Sequence, residues 1–371
     1  MSNAITRIDV YRLNIPLTEP FIISLETITH AENILVRIQT EDGTTGFGEC
    51  SPYRRIAGET QDSGMAVAPL LAKTLLGLNP LEMNHCIEAM DLAIAGNRCV
   101  KSAFDLALHD LAARLLHIPL YQYLGGRPGK ELVTDMTVSL GAPEKMAEDA
   151  VRFKNQGFKT IKLKLGTGFP IDVARVRAVR GAVGDAITLR VDANQGWDLA
   201  TAVKVLRGLE PLGVEFCEQP IPHWQSHDLP QLRRMCPIPI MADESLFDHH
   251  DAMQLIRMEA CDFFNIKLSK AGGIAHSVKI AQIAASAGMT CQVGCFSESR
   301  IGMSALAHYA LAFSNIRYFD LDAPLMLSAD PVEGGILYAP GGHVSVPEGI
   351  GIGAVMPEAY LERLEGVTYR K

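Results

Sequence analysis

Eight short apolar runs mark out the larger part of the chain, ending near Leu140, Gly166, Asn194, Gln219, Glu244, Leu268, Cys295 and Asp322. Their spacing is about 25 residues, the length of a strand, a helix and two short loops, and eight such units in succession predict a (β/α)8-type barrel. Segments between the runs, such as residues 143–156 and 274–287, carry apolar residues at helical spacing. No sequence repeat lies behind the rhythm, which excludes a solenoid array.

A different pattern precedes it. Residues 8–13 and 33–38 alternate like antiparallel strands, and Asp42-Gly43 supplies a hairpin turn into residues 45–49. Residues 17–29 and 50–60 show no regular pattern and read as loops, whereas 97–117 has helical spacing. Strands followed by helices, rather than interleaved with them, predict an α+β domain. A Gly/Pro-rich stretch, residues 124–129, separates it from the barrel. After Asp322 the rhythm breaks into turns long enough to return to the first domain. The expected division is residues 1–125, 126–322 and 323–371.

With 371 residues, 48% of them hydrophobic, the chain can bury a large core. A net charge of -8, spread along the sequence, argues against nucleic acid or an anionic membrane as partner. No run has the length of a signal-peptide core or a membrane span. The eight cysteines form no Cys-x-x-Cys pair, and Cys217, Cys291 and Cys295 sit in apolar runs, so a reducing, cytoplasmic setting is expected.

In such a barrel the reactive groups belong at the C-terminal ends of the strands. Lys162, Lys164, Asp192, Glu218, Asp243 and Lys267 all fall there, on five consecutive strands. Lys162 and Lys164, two apart in a strand, project from one face. Three carboxylates without histidine or cysteine are hard oxygen ligands suited to Mg²⁺. Burial and a nearby cation push a lysine pKa down, so that a neutral fraction accepts a proton. The set therefore suits removal of a proton α to a carboxylate, with positive charge stabilising the enediolate. Lysines on opposing strands allow the proton to leave one face and return on the other, which is racemisation or epimerisation.

These motifs, in this order, resemble the muconate-lactonizing subgroup of the enolase superfamily. The resemblance rests on Lys-x-Lys at 162–164, Asp192 in Val-Asp-Ala-Asn, Glu218 in Glu-Gln-Pro, Asp243 in Ala-Asp-Glu-Ser and Lys267 in Asn-Ile-Lys. It implies an α/β fold, a modified (β/α)7β TIM-like barrel with an α+β capping domain completed by the C-terminal segment. It implies Asp192, Glu218 and Asp243 as Mg²⁺ ligands, Lys164 and Lys267 as the two bases, and Lys162 as the group steadying the substrate carboxylate.

Asp320 and Asp322, flanking Leu321, read from chemistry alone as a pair able to bind an ammonium or as a solvated strand end. In dipeptide epimerases an Asp-x-Asp here resembles the clamp for the free amino group, so a small-molecule dipeptide becomes the expected substrate. Relatives that act on Ala-Glu place an arginine in the loop after the first strand, where this chain has Glu26. Small, apolar or basic second residues are therefore expected ahead of glutamate, although Arg54 or Arg55 could pair with Glu26. The alternatives are an L-Ala-D/L-Glu epimerase and an o-succinylbenzoate synthase or muconate cycloisomerase. Glu298 and Thr137 are expected near the substrate. Glu244 is left out of the metal shell by strand parity, and Lys270 with Gly272-Gly273 reads as a turn. His249-His250 reads as surface. Capped barrels often associate, so a homo-oligomer is left open.

Overall fold

The computed structural model describes residues 3–371. The first domain is a four-stranded antiparallel sheet. Strand Ile5–Ile22 lies between Gly366–Arg370 and Thr27–Thr40, and Thr45–Cys50 completes the other edge. Residues 17–29, expected as a loop, instead form most of the far end of the hairpin, with Phe21 opposite Ile28 and Ile22 opposite Thr27. Only a tight turn remains, closed by the Ile23 N–H on the Glu26 carbonyl at 3.1 Å. This end projects beyond the first domain's core, so neither face is fully buried and the apolar alternation that marks a strand is lost.

Helices Gln61–Leu75, Met83–Ala93 and Arg98–Leu115 pack against the sheet. The third lies directly on strand Thr45–Cys50. A Cβ on Gly48 would come within 2.1 Å of the Ala103 carbonyl, and one on Gly46 within 2.4 Å of that of Ala107. The same cap elements hold the barrel. Asp105 accepts the Ile274 and Ala275 N–H groups at 2.5 and 3.2 Å, at the start of helix Ile274–Ser286. Glu49 accepts the N–H of Ser299 (2.9 Å) and of Gly302 (3.0 Å) and the Ser299 hydroxyl (2.6 Å), at the start of helix Arg300–Ala312. Two buried acids of the cap thus occupy the N-termini of two barrel helices, where a negative charge meets the helix dipole.

The barrel has eight parallel strands in sequential order: Met136–Val138, Thr160–Lys164, Thr188–Asp192, Val214–Glu218, Ile240–Ala242, Phe263–Ile266, Thr290–Val293 and Ile316–Phe319. Each of the first seven leads to a helix on the outside, whereas the eighth is followed only by the short helix Ala323–Met326. The seam between first and eighth strands is closed by three bonds. The Asp135 N–H meets the Phe319 carbonyl (3.2 Å), the Leu321 N–H the Thr134 hydroxyl (2.8 Å), and the Thr137 N–H the Asp322 carboxylate (2.8 Å). The strands stop one to three residues before the ends expected from the sequence. Lys164, Asp192 and Glu218 close their strands, while Asp243, Lys267, Asp320 and Asp322 lie just beyond theirs.

The C-terminal stretch touches both parts. Strand His343–Ser345 pairs with Leu132–Val133 beside the barrel, and Gly366–Arg370 pairs with the first cap strand. Among the described residues no helix is long and apolar enough to cross a membrane.

Candidate active site

Asp192, Glu218 and Asp243 are fully buried on three successive strands or strand ends, with Asp192 and Glu218 in register. The backbone following them is held in unusual conformations: Asn194, Gln195 and Gln219 all have positive φ, at 41°, 68° and 31°. Gln219 turns the next loop toward the site, since its Oε1 accepts the N–H groups of Asp243 (3.0 Å) and Ser245 (3.1 Å). Glu218 is oriented by the Asn265 amide at 2.7 Å and the Gln292 amide at 3.3 Å. Burial and the neighbouring Asp192 push its carboxyl up to about 7.

Lysines stand between these acids. Lys164 Nζ is 2.6 Å from Asp192 Oδ2, Lys267 Nζ 2.8 Å from Asp243 Oδ2, and Lys162 Nζ 3.6 Å from Glu218 Oε2. Lysines were expected to be held low. For Lys267 burial does act in that direction, but Asp243 and Glu218 outweigh it and hold the ammonium above its ordinary range. A divalent cation held by those carboxylates would offset their pull and leave burial to lower the ammonium. The donor set suits such a cation in kind, since all three groups offer hard oxygens and the buried Asn194 Oδ1 and Glu244 Oε2 beside them have no hydrogen-bond partner, while the three carboxylates, drawn to their lysines, do not all come within 4.8 Å of one another.

Two residues read otherwise from the sequence belong to this cluster. Glu244 is fully buried and its carboxylate meets the Asn194 amide at 3.2 Å. The strand ends at Ala242, so the period-two parity that directed Glu244 away from the site does not extend to it. Lys270, expected in a turn, is buried in the short helix Leu268–Ala271, with Nζ on Asp243 Oδ1 at 2.7 Å and on the Asn265 carbonyl at 3.2 Å. A lone lysine beside a Gly-Gly turn carries no sequence signal for such burial. Gly272 and Gly273 do form the turn, at φ 88° and 106°.

Asp320 and Asp322 are buried together on the opposite side, and neither is free of partners. Asp320 forms an ion pair with Lys162, whose burial is outweighed by Asp320 and Glu218 so that it stays protonated. Asp322 Oδ2 accepts the Thr137 N–H, and burial, Asp320 and Asp135 push its carboxyl up to about 8. Among the described residues, Cys295, Asp320 and Asp322 are the one trio of potential ligand atoms within 4.8 Å of one another. Burial and both aspartates keep the Cys295 thiol protonated, and Lys162 already compensates Asp320, so this trio suits an ammonium better than a hard cation.

Thr137 faces this cavity, of about 30 Å³, with Phe21, Lys162, Lys164, Phe296, Asp320 and Asp322. Glu298 lies behind it, accepting the Ser269 hydroxyl (2.6 Å) and the Phe296 N–H (2.7 Å). Glu26 sits in the cap turn, held by Arg54 through bonds of 2.9 and 2.7 Å to one oxygen. Arg55 is exposed. Glu26, Arg54, Tyr53 and Ser297 line a neighbouring cavity of about 330 Å³. His249 and His250, expected at the surface, line a cleft between cap and barrel with His276, and His250 is exposed.

Capping sheet, barrel and strand-end carboxylates together define a class of barrel enzymes with a lid domain. Residues 6–125 match the mandelate racemase / muconate lactonizing enzyme N-terminal domain, and residues 145–360 the enolase C-terminal domain-like family. The chain belongs to this mandelate racemase / muconate lactonizing enzyme family. It is 48% identical over 363 residues to the D-Ala-D/L-Ala epimerase of Cytophaga hutchinsonii, covering 98% of this chain and 99% of that one. It is 40% identical to the L-Ala-D/L-Glu epimerase of Bacillus subtilis, covering 95% and 96%. The crystal structure of the dipeptide epimerase from Cytophaga hutchinsonii complexed with Mg and D-Ala-L-Val superposes with a TM-score of 0.97 at 48% identity, covering 98% of this chain and 99% of that chain. The dipeptide epimerase from Enterococcus faecalis complexed with Mg and L-Leu-L-Tyr gives 0.92 at 39% identity, covering 95% and 99%.

Proposed function

We propose that this chain is a Mg²⁺-dependent dipeptide epimerase that inverts the α-carbon of the C-terminal residue, acting on small or apolar dipeptides such as Ala-Ala. The observation that carries the reading is the placement of two buried lysines, Lys164 and Lys267, at the ends of the second and sixth of eight strands. Four strands apart in a barrel of eight, they stand on opposed sides of it, as proton transfer on two faces requires. The relatives' dipeptide substrates and their Mg-complexed structures support it.

In this reading Asp192, Glu218 and Asp243 hold the cation, and a bound Mg²⁺ supplies positive charge against the substrate carboxylate. One lysine, freed of its proton, removes the α-hydrogen, and the other, as an ammonium, returns one to the opposite face. Lys162 adds a fixed positive charge as the enediolate develops. Asp320 and Asp322 accept the substrate ammonium, with Thr137 and Glu298 supporting the walls. Residues 126–322 carry the chemistry, 1–125 the lid loops, and 323–371 tie the two. The eight cysteines, all free, suit a reducing cytoplasm. Light scattering after size exclusion tests whether the chain associates with itself.

The test is incubation of each epimer of a dipeptide panel in D2O with Mg²⁺, read by mass spectrometry and chiral chromatography. Deuterium at the C-terminal α-carbon with inversion is expected. Turnover of o-succinylbenzoate precursors or muconate instead would replace the reading by the lyase or cycloisomerase alternative.

A further inference from the structure

The two opposed lysines share a feature that the sequence did not announce. Each ammonium stands over the face of a phenylalanine. Lys267 Nζ is 4.6 Å from the ring centre of Phe296, and Lys164 Nζ is 5.8 Å from that of Phe21. The rings come from unrelated parts of the chain, Phe21 from the end of the first cap strand and Phe296 from the loop after the seventh barrel strand. Both line the cavity that holds Lys164, Asp320 and Asp322.

Neither ring is loosely placed. Phe296 stacks on Tyr53 at 5.3 Å and 24°, and its N–H donates to Glu298 at 2.7 Å. Phe21 is paired with Ile28 in the cap hairpin, and the next N–H, of Ile22, donates to the Ser139 hydroxyl of the barrel at 2.7 Å. The geometry opposes a competing pull, because Asp192 and Asp243 draw the same two ammonium groups at 2.6 and 2.8 Å. A ring face attracts a cation within about 6 Å but offers no lone pair and no proton. It therefore draws the ammonium form away from the carboxylates without competing for its proton, whereas a carboxylate competes for it.

We propose that Phe21 and Phe296 are positioning residues, one for each lysine and so one for each face of the substrate. The proposal rests on the two-base reading above. It makes a stereochemical demand that a merely structural role does not: loss of one ring must slow proton exchange of one epimer and spare the other.

The experiment follows early α-deuterium uptake by each epimer of Ala-Ala in D2O with the Mg²⁺-loaded enzyme. Lys164→Ala and Lys267→Ala first assign which epimer each lysine serves. Phe296→Leu is then expected to slow exchange of the Lys267 epimer by about three- to tenfold, leaving the other within about twofold. Phe21→Leu is expected to do the reverse, with a smaller loss at its longer distance. Phe→Trp at either position, which keeps a π face, is expected to retain exchange. Equal slowing of both epimers, or slowing of neither, overturns the proposal while the two-base reading stands. Lysine variants that fail to separate the epimers overturn both.

Discussion

Lys162, on the second barrel strand, forms a buried ion pair with Asp320, just past the end of the eighth, and the same ammonium lies 3.6 Å from Glu218. One side chain thus links the cluster assigned to the cation with the cluster assigned to the substrate ammonium. Both partners are nearly excluded from water, with side-chain exposures of 2% and 3%, so solvent screens the pair little. Removing either partner strands a buried charge, which costs about 3–5 kcal/mol, whereas removing both costs much less. Lys162→Met and Asp320→Asn are each expected to lower the melting temperature, and the double variant to recover part of the loss. Additive losses across this thermal double-mutant cycle would show that the pair is not coupled.

The cation assignment has a readout independent of turnover. If Asp192, Glu218 and Asp243 hold Mg²⁺, titrating the metal into chelator-treated protein raises the melting temperature, because a ligand bound only by the native state stabilises it. Glu218→Gln keeps the size and one acceptor oxygen, for the Asn265 amide, but removes one charged ligand. It is expected to abolish the Mg²⁺-dependent shift while the barrel still folds by circular dichroism. A full shift in the variant would remove Glu218 from the ligand set.

Glu298 predicts a pH dependence away from the metal cluster. Burial pushes its carboxyl up to about 7, against the lowering effect of the Ser269 hydroxyl and the Phe296 N–H. A carboxyl raised in the folded state favours folding while it is protonated. That contribution is fully present below about pH 4.5 and is lost as pH rises through about 7, on the order of 3 kcal/mol in all. Glu298→Gln, which never ionises, is expected to flatten the fall in stability between pH 5 and 8, measured by urea denaturation at each pH. An unchanged slope would show that Glu298 does not titrate in that window.

The barrel was legible because parallel strands bury both faces and so write continuous apolar runs, and because Lys164, Asp192 and Glu218 sit where those runs stop. Other features left no such trace. Glu49 and Asp105 carry no local sequence signal, yet each occupies the N-terminus of a barrel helix more than 160 residues away, at Ser299 and Ile274. Their partners are set by tertiary packing and not by local spacing. Residues 17–29 failed as a strand because pattern reports burial, and that end of the hairpin is hydrogen-bonded without being buried. Glu244 is buried beside the Asn194 amide because the strand, and with it the parity read from the sequence, ends at Ala242. Asp322 was readable as half of an acidic pair, but its bond to the Thr137 N–H, which helps close the barrel seam, was not.

The staple at Glu49 gives a stability prediction. Its carboxylate accepts from Ser299, Gly302 and the Asn33 amide while fully buried. Glu49→Ala leaves these donors unsatisfied at the cap–barrel junction, at about 1–3 kcal/mol for each stranded group. A loss of several kcal/mol in urea denaturation is expected, with Glu49→Gln intermediate. Stability unchanged in Glu49→Ala would mean that water replaces the carboxylate without cost.

In the proposed reading, substrate choice turns on Glu26 and Arg54. A carboxylate in the cap turn would by itself repel a substrate side-chain carboxylate, but Arg54 donates two hydrogen bonds to one Glu26 oxygen and compensates it. The compensation is uneven, because the Arg54 side chain is 70% exposed and that of Glu26 only 15%, so solvent screens the arginine far more. The net bias at the substrate is therefore acidic, and Ala-Ala is expected to be turned over better than Ala-Glu. Arg54→Ala unmasks Glu26 and is expected to lower kcat/KM for Ala-Glu further, on the order of tenfold, with Ala-Ala nearly unchanged. Glu26→Arg is expected to narrow or reverse the wild-type preference. The comparison is kcat/KM for Ala-Ala, Ala-Glu and N-acetyl-Ala-Ala on wild type and both variants, the acetylated substrate being expected to fail because it has no ammonium for Asp320 and Asp322. A wild-type preference for Ala-Glu would place the deciding charge on Arg54 or another basic group. Equal turnover of the acetylated substrate would remove the ammonium clamp, and with it the case for a dipeptide over an N-acyl amino acid.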